Sequence, residues 1–76
     1  MERVKIYTNY LDENDEKKIM DALNSGKAVN VGSACIGHTR AAMVEMQAIQ
    51  FLESVGAKSV DVDEWGNEFH AYYKLA

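Results

Sequence analysis

Three groups of residues in this chain have the types and spacing that chemistry needs. They are Cys35 with His38, His70 with Asp63, and the small-residue run Gly32-Ser33-Ala34-Cys35-Ile36-Gly37 ahead of Arg40. Cys35 and His38 lie three residues apart near the start of a helix, where a thiolate is stabilised. A nucleophile and its base also need a third group to orient the base, together with an oxyanion site. The sequence supplies no such group, so Cys35 reads as a packed, inert thiol. A metal site built from Cys35, His38 and His70 has no recognised ligand spacing. His70 opposite Asp63 on a hairpin reads as a surface cross-strand pair rather than an acid–base dyad. The run Gly32–Gly37 is the best place for an anion, because a strand feeding a helix through small residues aims free N–H groups over the helix start. Lys27, Gly32, Ser33, Gly37, His38 and Arg40 would form that site. The run lacks the glycine–lysine signature of a P-loop and the glycine spacing of a dinucleotide fold. No catalytic residue, metal or cofactor is expected.

The elements that must position these groups follow from periodicity. Arg3 to Asn9 alternates, with Val4, Ile6 and Thr8 on one side and Arg3, Lys5, Tyr7 and Asn9 on the other, which predicts a half-buried strand. Asp12 or Asn14 suits the N-cap of a first helix, whose apolar stripe is Ile19, Met20 and Leu23. Gly26 suits the left-handed position past its end. A second, buried strand runs from Lys27 to about Val31. A second helix spans about Thr39 to Val55, with Ala41, Val44, Ala48, Phe51, Leu52 and Val55 on its core face. Ala42, Met46 and Ile49 form a narrower apolar strip that fits either the first helix or a second copy of the chain.

Ser59–Trp65 and Asn67–Leu75 read as a hairpin around Gly66-Asn67. The register pairs Val60 with Tyr73, Val62 with Ala71 and Glu64 with Phe69. On the other face it pairs Asp61 with Tyr72, Asp63 with His70 and Trp65 with Glu68. The order is β-α-β-α-β-β, and right-handed crossovers place both helices on one face of the sheet. The class is α/β in the sense of a two-layer α+β sandwich, one domain over residues 1–76. The open face then carries Lys5, Tyr7, Asp61, Asp63, Trp65, Glu68, His70, Tyr72 and Lys74.

Composition narrows the function. Seventy-six residues form one small domain whose core is limited, since a chain of this size buries only about 60% of its unfolded surface. The 8 basic and 12 acidic side chains give a net charge of −4, which disfavours a non-specific grip on nucleic acid. The chain has no apolar run long enough to span a membrane and no secretory core at its start, and its single cysteine fits a reducing compartment. A cytoplasmic protein is expected.

The element order, the run Gly32–Gly37 and the helix start Arg40-Ala41-Ala42 continuing to Gly56 resemble the Alba superfamily. The resemblance covers nearly the whole chain and implies a sheet order of 1-2-4-3, a dimer, and binding of DNA or RNA. The sequence departs from that pattern in two places. Thr8-Asn9-Tyr10-Leu11-Asp12-Glu13 stands where the family carries a basic loop, and Gly66-Asn67 closes a hairpin that the family extends as a long arm.

These features lead to a small acidic, non-enzymatic binding protein. It would act as a regulator or inhibitor on a basic, nucleic-acid-handling protein partner through Asp61, Asp63, Trp65, Glu68 and Tyr72. The alternative is an Alba-like nucleic-acid binder working through Gly32–Arg40. A homodimer through Ala42, Met46 and Ile49 is expected in either case.

Overall fold

The computed structural model describes the backbone of residues 2–34, 38–65 and 68–75, and their side chains except those at 38, 64, 65, 68 and 69. The elements are β1 (Arg3–Thr8), α1 (Glu13–Asn24), β2 (Ala28–Ser33), α2 (His38–Ser54), β3 (Ala57–Trp65) and β4 (Glu68–Leu75). They form a four-stranded mixed sheet in the order β1-β2-β4-β3, with β1 parallel to β2 and the other neighbours antiparallel. That is the expected α+β class and the expected strand order. Among the described residues no helix is long and apolar enough to cross a membrane.

Local chemistry sets the helix ends. Asp12 is the N-cap of α1, its Oδ1 accepting from the Asp15 N–H at 2.9 Å while Asp15 Oδ2 accepts from the Asp12 N–H at 3.4 Å. This reciprocal capping box satisfies two donors that a helix start otherwise leaves orphaned. The Thr8 hydroxyl also donates to Asp15 Oδ2 at 2.7 Å, which ties the end of β1 to the start of α1. That bond chiefly holds the Asp15 carboxyl below its ordinary 3.8, with burial opposing it and the Asp12 N–H adding to it. At the other end Gly26 takes φ +81°. Its N–H and that of Lys27 then reach the carbonyls of Leu23 and Ala22, closing a Schellman motif.

The helix stripes and the inward faces of the strands meet in one core of Ile19, Leu23, Val29, Val31, Ala48, Leu52 and Ala57, all buried. Both helices therefore lie on the same side of the sheet. Ala42, Met46 and Ile49 do not pack on α1: all three are exposed, Met46 at 60% and Ile49 at 40%.

The hairpin departs from the expected register at one residue. Asp61↔Tyr72, Val62↔Ala71, Asp63↔His70, Glu64↔Phe69 and Trp65↔Glu68 pair as expected, but Tyr73 pairs with Ser59 rather than Val60. Val60 is the extra residue of a β-bulge on an edge strand, where bulges are common. The bulge reverses the facing of every residue before it. Ala57 turns into the core at 4% exposure, and Lys58 turns onto the open face opposite Lys74.

Candidate binding surface

The open face is a short grid. Parallel pairing sets Arg3 beside Ala28, Lys5 beside Asn30 and Tyr7 beside Gly32. The antiparallel pair Val29↔Tyr73 sets Ala28 beside Lys74 and Asn30 beside Tyr72. The β3–β4 pairs complete the rows with Lys58, Asp61 and Asp63.

Arg3 lies across this grid. From β1 its guanidinium passes 5.2 Å from the centre of the Tyr72 ring on β4 and reaches two carboxylates on β3. Nη1 stands 2.6 Å from Asp63 Oδ1 and 3.3 Å from Asp61 Oδ2. The hydrogen bond from Arg3 chiefly pulls the Asp63 carboxyl below its ordinary 3.8; burial opposes this, while the Tyr72 hydroxyl and the charges of Arg3 and Lys5 assist. The same pair raises Arg3 above its ordinary value, again first through the hydrogen bond to Asp63. The side chains of this network remain well exposed, so its Coulomb part is screened by solvent. Its clearest effect is cover, since Tyr72 is only 3% exposed.

Two expectations change here. Tyr72 is expected to bind a partner from the open face, but the ring is buried beneath Arg3 and between neighbouring strands. Asp61 and Asp63 are expected to bind a basic partner, but both are already ion-paired within the chain. Trp65 and Glu68 are paired in the backbone register, and their side chains lie outside the described residues.

The remaining charge on the face is positive. Arg3, Lys5, Lys58 and Lys74 make four of the chain's 8 basic side chains, against Asp61 and Asp63 on the same described surface. Lys58 and Lys74 are directly opposite, and among the described residues neither has an ion-pair partner. Like charges facing each other across a strand pair are destabilising. Tyr7 adds an aromatic ring, 63% exposed, lying over Gly32 so closely that a Cβ there would come within 3.2 Å of it.

Two of the residues expected to share an anion site, Lys27 and Arg40, lie far apart. Lys27 stands before β2, 3.7 Å from Glu2, while Arg40 is exposed on α2 beyond the other end of β2. Six strand residues at about 3.3 Å each separate them by roughly 20 Å, too far to share a small anion. Gly32 and Ser33 pair with Tyr7 and Thr8 inside the sheet. Arg40 shares a surface depression with Tyr10 and Met43. Cys35 and Gly37 lie outside the described residues, as does the side chain of His38, whose backbone opens α2. His70 pairs with Asp63 in register as expected, and Asp63 is held by Arg3. Among the described residues no group of three His, Cys, Asp or Glu side chains is placed to hold a metal ion. The cavity between α2 and the sheet, lined in part by Asn30, Glu45, Ile49 and His70, measures about 110 Å³.

Arg3 and Lys58 are charged open-face residues absent from the expected list. Arg3 was within reach of the sequence, since it shares the alternation of Lys5 and Tyr7. Lys58 was hidden by the bulge. Comparison of the chain with protein-family models, curated proteins and solved structures finds no match. The strand order β1-β2-β4-β3 is a property of the fold, and a fold by itself carries no function with it. Function is therefore argued from the surface itself.

Proposed function

We propose that this chain is a small non-enzymatic binding module whose working surface is the open face of the sheet, and that the surface takes an anionic partner. The carrying observation is the Lys58–Lys74 pair, which has no ion-pair partner among the described residues, while both aspartates of the face are paired with Arg3. A repulsive pair retained in a small domain is relieved when an anion bridges it. Among anionic partners, single-stranded nucleic acid suits the surface best. A lysine-lined sheet bearing an exposed tyrosine offers contacts to both phosphates and bases. Moving the site from the Gly32–Arg40 loop to the sheet keeps the nucleic-acid reading and changes where it acts.

The reading with a basic protein partner rests on one observation, that Asp61, Asp63 and Tyr72 together already hold a guanidinium. A partner arginine would have to displace Arg3 to use the same seat.

Fluorescence anisotropy with labelled single-stranded RNA, duplex DNA and a polyglutamate peptide separates these cases. Saturable binding of the single strand that weakens with salt supports the proposal. No binding of any polyanion at tens of micromolar protein overturns it.

A further inference from the structure

The ladder between β2 and β4 stops early. Val29↔Tyr73 is the one pair registered between them among the described residues, whereas β1 and β2 pair at six positions. An antiparallel ladder would next bond Val31 to Ala71. Instead the Asn30 side chain reaches across, its Nδ2 donating to the Ala71 carbonyl at 2.9 Å. Where the ladder ends, a cavity of about 110 Å³ lies between the two strands and α2.

Val31, Ala48, Leu52, Ala71 and Tyr73 make its walls largely apolar, and Ala48 and Leu52 are each only 1% exposed. Glu45 lines it from an exposed position on α2, which puts its carboxylate at the mouth. Among the described residues Glu45 has no ion-pair partner, and no lysine or arginine lines the cavity. Asn30 also lines it and is 8% exposed. Among the described residues its amide makes one hydrogen bond, the one to Ala71, which leaves Oδ1 as a second acceptor. A buried acceptor without a donor costs free energy until something supplies one. His70 lines the wall too, with an interaction of its own within the chain.

We infer that this cavity binds a small alkylammonium ion, tail first. Two acceptors and one carboxylate charge select a cation that donates hydrogen bonds, and the apolar walls select its tail. At roughly the 30 Å³ that a water occupies in the liquid, the cavity holds about four carbon-sized groups, so the tail is of butyl size. The head group stays with Glu45 and the Asn30 Oδ1, because an ammonium carried further in would lose its water among apolar side chains. That orientation excludes the lysine side chain of a protein partner, which would have to enter head first. It equally excludes a diamine, which would bury a second charge. Nothing here requires the anionic partner proposed for the open face.

The test is an NMR titration at about pH 8, above the ordinary histidine value, with butylammonium beside butanol, butyrate, 1,4-diaminobutane and a lysine blocked at both ends. Butylammonium should saturate at millimolar concentration and shift the amides of Val31, Ala48, Leu52 and Ala71. Butanol should bind about tenfold more weakly, and the other three should not saturate. Glu45→Gln changes an exposed helix position, and should bring butylammonium down to the butanol level while leaving butanol unchanged. The inference is overturned if butylammonium leaves those amides unshifted, binds no better than butanol or butyrate, or keeps its affinity in Glu45→Gln. Saturation by the diamine or the blocked lysine also overturns it, since either would carry an ammonium into the interior.

Discussion

Replacing Lys74 by glutamate should make the protein more stable and a poorer binder at once. Lys58 and Lys74 are cross-strand partners; at a separation of about 6 Å two unit charges in water interact by about 0.7 kcal/mol. A Debye length of about 8 Å at physiological salt cuts this to about 0.3 kcal/mol. Lys74→Glu turns that repulsion into an attraction of similar size, a swing of about 0.7 kcal/mol at physiological salt and about 1.4 kcal/mol at low salt. In a domain of this size the swing should raise Tm by roughly 3–6 °C at physiological salt. Urea denaturation of both proteins at 20 and 150 mM salt reads the stability, and anisotropy with single-stranded RNA reads the binding. Charge reversal removes one phosphate contact and adds a repulsive one, so affinity should fall at least about tenfold and the salt slope should flatten. Lower stability in the variant, or higher stability with RNA affinity unchanged, would refute the reasoning. The first outcome means that the lysines do not repel each other, and the second that they are not the site.

Asp12→Ala removes the N-cap of α1 and should cost about 1 kcal/mol, read as a lower urea midpoint with an unchanged slope. Acid should destabilise the fold through Asp15 and Asp63, whose folded carboxyls both sit below the ordinary 3.8. Their contribution is complete above the unfolded value and is lost as pH falls through the folded ones; Thr8→Val removes the main cause at Asp15 and should flatten that part of the acid limb. The exposed strip of Ala42, Met46 and Ile49 should mediate a homodimer, so light scattering should give about twice the monomer mass and Met46→Lys should restore the monomer.

Much of this architecture is legible in the sequence because its signals are local. The cap at Asp12 and the stripes of both helices each announce themselves within a few residues. So does the turn signal Gly66-Asn67, which lies outside the described residues and predicts the register of the half of the hairpin nearest to it. The far half escapes, because Ser59-Val60-Asp61-Val62 alternates without any sign of an extra residue. The frame there is set from a distance, by Ala57 packing under the helices beside Leu52. The candidate surface was half legible for the same reason. Which residues share the open face follows from alternation, so Asp61, Asp63 and Tyr72 were correctly grouped. That Arg3 crosses from β1 to β3 to pair with the first two and cover the third is a contact spanning 58 and 60 residues of chain. No local pattern encodes it.

The bulge at Val60 also bears on how such a surface arises in evolution. On a regular strand, each side chain's face is fixed by counting residues back from the turn. One inserted residue shifts that count for everything before it unless the strand takes it up as a bulge. The bulge at Val60 does so: Lys58 stays opposite Lys74 on the open face and Ala57 stays in the core, as they would in a strand without residue 60. The charge of the face is thus kept through a change of one residue in strand length. A lineage that lost residue 60 and held its pairing in step would keep every lysine it has. If the pairing instead slipped, the same composition would present a different surface. Relatives of this chain are therefore better compared by their length between Gly56 and Asp61 than by the residues they carry there.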